Sequence, residues 1–233
     1  MTEWVASALI VMGAAFQGAT GFGFALLVSP WIVLLAPELF PGPLMMCSLL
    51  LTSMTILRDG MALDRKNIQY SLIGYFPGLV IASALLIYME GPYFSYFCGS
   101  MIILSALLSY FTFSFEPRPV LVSLAGAFSA ILNLTTTIGG PPMLLVWQNL
   151  RTQPLRAQLA AFFIGGGVLS ITTLISIHRF AWNDFIHGLQ QFPWVVLGFL
   201  LSFRVARHLD QSSIRPLILT AAAIGGMLIL FRA

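Results

Sequence analysis

The sequence predicts an all-α integral membrane protein built as two homologous halves. Three observations carry the prediction: a composition too apolar for water, apolar runs along the whole chain, and helix-breaking clusters inside two of those runs. Of 233 residues, 58% are hydrophobic and 8% charged, with a mean hydropathy of +0.92, whereas a soluble domain carries about 25% charged residues. An apolar run of about 18 residues, rising 1.5 Å per residue, crosses a hydrocarbon core of roughly 30 Å. The bilayer is where such a surface is buried.

Apolar segments run from Trp4 to Ala36, Leu44 to Leu57, Tyr70 to Met89, Tyr93 to Phe113, Val120 to Leu150, Leu155 to Ile177, Leu189 to Phe203 and Ile214 to Phe231. The first holds Gln17-Gly18-Ala19-Thr20-Gly21-Phe22-Gly23 in its middle, and the fifth holds Asn133-Leu134-Thr135-Thr136-Thr137-Ile138-Gly139-Gly140-Pro141-Pro142. Neither can be one uninterrupted helix. An offset of about 117 residues sets Gly23 on Gly140 and Thr20 on Thr137, so the two segments read as copies. Met61-Ala62-Leu63-Asp64 echoes Phe180-Ala181-Trp182-Asn183 at an offset only two residues larger. The expected organisation is a repeat over 1–114, a linker over 115–119 and a second repeat over 120–233.

If all eight segments cross, Arg58, Arg65, Lys66, Arg118, Arg179 and Arg232 face one side, and Arg151, Arg156, Arg204, Arg207 and Arg215 the other. Six against five decides nothing under the positive-inside rule. If the two broken segments instead re-enter on the face they came from, only Arg179 and Arg232 remain in the minority. That arrangement is preferred, with eight full crossings as the alternative. Each arm of a hairpin is then about a dozen residues, roughly 20 Å of helix. Three crossings plus one hairpin per half invert the second copy relative to the first and leave both termini periplasmic. Met1-Thr2-Glu3-Trp4 has no basic leader region, so no removed signal peptide is expected.

Non-helical backbone at membrane depth leaves N–H and C=O groups that protein, water or a ligand must satisfy. A half-helix starting at a break turns its free N–H groups and positive dipole end toward the gap, a setting for an anion. The candidate binding residues follow from this. Gln17, Thr20, Asn133, Thr135, Thr136 and Thr137 are neutral hydrogen-bonding groups, Gly21, Gly23, Gly139 and Gly140 allow close backbone approach, and Pro141, with Pro142, suits the first turn of a restarting helix. Helix packing through small residues is the competing explanation for any one of them.

The acidic residues read as loop or interface charges, which argues against a cation carrier. Arg156 and Arg204 read as interfacial, either snorkelling or drawing an anion into a vestibule. Cys47 and Cys98 read as buried small hydrophobes, and the histidines as loop residues without metal-site spacing. No nucleophile, base or metal set falls within the spans, so no enzyme is expected. The net charge of +3 comes from short loops, not from a nucleic-acid-binding tract.

Gly13 through Pro30, Gly126 through Pro142, and the stretch from Gly198 through Arg204, Arg207, Leu209 and Ile214 to Gly225 resemble the sulfite exporter TauE/SafE family, also called the toluene sulfonate uptake permease family. The Gly21-Phe22-Gly23-Phe24 run and the threonine triplet before Gly139 depart from its pattern. The resemblance implies a permease or exporter of sulfite, sulfonate or related organosulfur anions in the bacterial inner membrane. It implies transport driven by a proton gradient or membrane potential, without ATP or another cofactor. Alternating access of the two halves around one central site is the expected mechanism. A passive anion channel and a non-transporting structural subunit are the alternatives. Expected partners are a small anionic substrate and the lipid bilayer, with no nucleic acid, and a homodimer is allowed.

Overall fold

Ten α-helices and one 3-10 turn form the described part of the computed structural model, which covers residues 2–60, 64–89, 91–110, 116–150, 152–208 and 211–232. The helices are α1 (Thr2–Thr20), α2 (Phe24–Leu35), α3 (Gly42–Asp59), α4 (Arg65–Tyr88), α5 (Pro92–Tyr110), α6 (Pro119–Thr136), α7 (Gly140–Trp147), α8 (Thr152–Ser176), α9 (Trp182–His208) and α10 (Gln211–Arg232). No strand occurs among the described residues. Helices α4, α5 and α6, with Pro154–Ser176 of α8 and Trp182–Arg204 of α9, are long and apolar enough to cross a bilayer, while Trp4–Thr20, Phe24–Leu35 and Pro216–Arg232 are shorter apolar helices.

Both broken segments break where expected, but less of each motif leaves the helix than the sequence suggests. Gln17 through Thr20 stay in α1, and Thr135 and Thr136 stay in α6. Their hydroxyls explain this, because Thr135 and Thr136 donate to the carbonyls of Ile131 and Leu132 one turn back, both at 2.7 Å. The arms are therefore unequal and not a dozen residues each. Helices α1 and α6 have 19 and 18 residues against 12 and 8 in α2 and α7. Helix α9 starts at Trp182 rather than Leu189, which takes His187 out of the expected loop. Part of the Met61 echo, the end of the Tyr93 to Phe113 segment and the start of the linker lie outside the described residues.

Helix α1 packs along α9 and α6 along α4, while α3 lies on α8 and α5 on α10; α2 leans on α10 and α7 on α5. Apolar burial does not drive helices together in lipid, so close backbone approach has to. A side chain at Gly74 would strike the Ser123 carbonyl, one at Gly78 the Ala127 carbonyl and one at Gly126 the Ser71 carbonyl. Only glycine lets α4 and α6 come this near. Gly198 of α9 meets the Val11 carbonyl of α1 in the same way. The inner faces form apolar clusters around Tyr75, Trp147 and Phe162, around Ile10, Phe24 and Leu51, and around Ile102, Ile138 and Ala222. The outer faces stay apolar too, with Val80 71% and Leu217 69% exposed, a surface made for lipid tails.

Candidate functional site

The first break begins where Gly21 donates its N–H to the Gln17 carbonyl (2.6 Å) and adopts φ 92°, and Gly23 follows at φ 103°. Both angles lie in the left-handed region that glycine adopts without strain. The chain then restarts as α2. Its first N–H, on Phe24, is capped by the side chain of Gln17, whose Oε1 accepts it at 3.1 Å. That bond fixes the amide orientation, since Phe24 N can only donate. Gln17 Nε2 is thus turned away as a donor, and it is buried with no partner.

At the second break Thr137 is the residue in the left-handed region, at φ 62°. Its N–H donates to the Asn133 carbonyl (2.8 Å), while its hydroxyl is buried without a partner. Gln17 and Thr137 are each only 4% exposed. Both line one cavity of about 40 Å³ between the two breaks, room for roughly three water-sized groups. Gly23, Asn133, Gly139, Gly140 and Pro141 line it as well. Seven of the eleven residues singled out from sequence therefore meet at one place.

The other four do not line it. The Thr20 hydroxyl sits between the carbonyls of Phe16 (3.0 Å) and Phe22 (2.7 Å), tying the turn shut. Thr135 and Thr136 are held by the backbone bonds described above, and their own carbonyls accept from Cys98 Sγ (3.3 Å) and Ser29 Oγ (2.6 Å). Gly21 lies against the aliphatic stem of Arg156. Asn133 reaches the cavity with its amide hydrogens already engaged, since Nδ2 donates to Tyr75 Oη (2.9 Å) and Ser170 Oγ (3.1 Å).

Helix termini contribute fewer N–H groups than the sequence suggests. Gln17 occupies the first donor of α2, and Pro141 and Pro142 remove two from α7. The N–H groups of Ala25 and Leu26, in the first turn of α2, have no partner within their helix, and both residues line the cavity. Side-chain donors complete the site. Among the described residues no Asp, Glu, Lys, Arg or His lines it, and its apolar walls include Phe22, Phe162 and Phe163. Phe162 is locked edge-on against Tyr75 and Trp147, with ring centroids 5.6 and 6.0 Å apart. Sequence reading missed Tyr75, Phe162 and the Gly166-Gly167 pair, all of which line the cavity. The available signal was a tyrosine deep in an apolar segment, whose hydroxyl must find a partner.

One charged group was also misread. Asp59, expected as a loop or interface charge, ends α3 with its side chain 12% exposed. It pairs with Arg58 (2.7 Å) and Arg156 (2.9 Å). Arg156 also donates to the carbonyls of Gly18 and Ala19, both at 3.3 Å. There it places a cation on the negative end of α1. Arg58 lies over the rings of Phe199 and Phe203. These charges hold the first break from behind, outside the cavity.

A helical bundle with an apolar outer surface and a cavity between two helix breaks has the build of a multi-pass membrane protein. Within that class the chain belongs to the sulfite exporter TauE/SafE family, whose model matches residues 5–229. Comparisons with curated proteins and with solved structures gave no match.

Proposed function

We propose that the protein is a secondary carrier that moves a small sulfur oxyanion, sulfite or a close relative, across a bacterial cytoplasmic membrane by alternating access. The observation that carries this is a pair of buried donors without a partner among the described residues, Gln17 Nε2 and the Thr137 hydroxyl, both carried by residues that line one small cavity between the two breaks. A partnerless buried polar group costs about 1–3 kcal/mol, and a hydrogen bond to a charged group returns about 1.5–3 kcal/mol. An oxyanion satisfies both donors at once. Family membership supplies the sulfur chemistry.

The topology proposed with it has two hairpins entering from opposite faces. Side-chain contacts at both ends of the bundle support it. Arg58 and Arg156 share Asp59, Arg179 reaches the Leu86 carbonyl (3.1 Å) and Arg232 the Leu34 carbonyl (3.3 Å). Eight full crossings would put each of these pairs on opposite faces of the membrane. The division into repeats over 1–114 and 120–233 is supported by the packing, in which α1 on α9 answers α6 on α4, and α2 on α10 answers α7 on α5. Exchanging the halves turns each contact into its counterpart.

The test is counterflow. Proteoliposomes preloaded with unlabelled sulfite should take up labelled sulfite transiently above its equilibrium level. Uptake that never overshoots, together with sulfite-dependent current, would replace the carrier with a channel.

A further inference from the structure

Tyr75 Oη, Ser170 Oγ and Asn133 Nδ2 form a closed triangle in the wall of the cavity, with sides of 2.9, 2.9 and 3.1 Å. Counting hydrogens settles how it is wired. Three contacts need three hydrogens, and the two hydroxyls supply only two. Asn133 must therefore present its NH₂ to the triangle, because the flipped amide would leave one contact without a hydrogen. With the amide so fixed, four hydrogens serve three contacts, and one hydroxyl hydrogen is left over.

The surroundings decide which hydroxyl holds it. Ser170 is fully buried and does not line the cavity. It also differs from its neighbours on α8, since Thr172, Thr173 and Ser176 each donate to the carbonyl four residues back, whereas Ser170 bonds only within the triangle. A spare hydrogen on Ser170 would be stranded. Tyr75 lines the cavity, and its oxygen lies 3.1 Å from where a Cβ on Gly166, another lining residue, would stand. Of the two residues that carry a hydroxyl in the triangle, Tyr75 lines the cavity and Ser170 does not, so the spare hydrogen is assigned to the phenol. The arrangement with fewest orphaned donors has Asn133 donating to both oxygens, Ser170 donating to Tyr75, and the phenol donating into the cavity.

We infer that Tyr75 is a third anion donor, beside Gln17 and Thr137, and that Asn133 and Ser170 donate to its oxygen and so leave its hydrogen free for the ligand. This rests on the carrier reading above. It assigns the site a preference for a deprotonated oxyanion, met by neutral donors of side chains and of the first turn of α2. It also separates the roles of two residues that a purely structural triangle would make equivalent. In Ser170→Ala the phenol keeps its hydrogen and its Asn133 bond, and can still donate to the anion. In Tyr75→Phe the donor is gone.

The experiment is the concentration dependence of labelled-sulfite uptake by proteoliposomes of the parent, Tyr75→Phe and Ser170→Ala, with the thermal midpoint of each in detergent as a check on folding. The expected result is a half-saturating concentration raised about tenfold or more by Tyr75→Phe and no higher than about twofold above the parent in Ser170→Ala. Equal weakening by both variants, or a Tyr75→Phe protein within about twofold of the parent, would overturn the assignment while leaving the carrier reading intact. A parent with no saturable uptake would sink the carrier reading and this assignment with it.

Discussion

Thr137 holds φ 62° although it is β-branched and Gly139 follows two residues later. The left-handed conformation costs an L-residue about 1–2 kcal/mol, and a β-branched one pays at the upper end. Such strain persists at functional sites where the side chain is needed. Here the side chain carries a buried hydroxyl without a partner among the described residues, on a residue that lines the cavity. Thr137→Gly should therefore stabilise the protein and impair it together. The thermal midpoint in detergent is expected to rise by a few degrees while sulfite uptake falls about tenfold. A variant that loses stability would mean that the threonine is retained for packing.

At the scale of elements, the first break is braced by charge. The last residues of α3, the first turns of α8 and the end of α1 meet at Asp59, Arg156 and the Gly18 and Ala19 carbonyls. Asp59→Asn leaves two guanidinium groups facing each other with side chains 17–18% exposed. Removing one partner of a fully buried pair costs about 3–5 kcal/mol, and partial exposure reduces this to about 1–3 kcal/mol. Differential scanning fluorimetry should show the midpoint falling by several degrees. An unchanged midpoint would remove the bracing role.

The same scale shows what could be read from sequence. The two breaks were legible because Gly, Thr and Pro clusters interrupt apolar runs, and nothing else in an apolar run marks a change of direction. Their lengths were not, because threonine remains helical when its hydroxyl bonds the carbonyl one turn back, as Thr135 and Thr136 do. Seven of the eleven residues singled out line the cavity because they belong to the breaks that made the motifs legible. Tyr75 and Ser170 were not legible, because the triangle joins α4, α6 and α8, whose register is set by distant glycine contacts: Gly74, Gly78 and Gly126 between α4 and α6, and Gly165 and Gly166 of α8 against Leu72 and Tyr75 of α4. The burial of Asp59 was not legible because its partner Arg156 lies about a hundred residues away and meets it only where α3 packs on α8.

Over the whole molecule, the proposed hairpin topology, with its nine-to-two division of basic residues, makes a sided prediction. A cysteine replacing Arg232 should react with a membrane-impermeant maleimide from the periplasmic face of intact cells. One replacing Arg118 should react only after permeabilisation. Labelling of both from one face would refute inverted halves.

The central claim is that the cavity between the breaks binds the transported anion. It is tested most directly by labelled-sulfite uptake into proteoliposomes of the parent, Gln17→Leu and Thr137→Val. The account predicts saturable uptake by the parent and at least a tenfold loss in each variant with insertion and folding retained. Uptake by both variants at the parent's rate would contradict it.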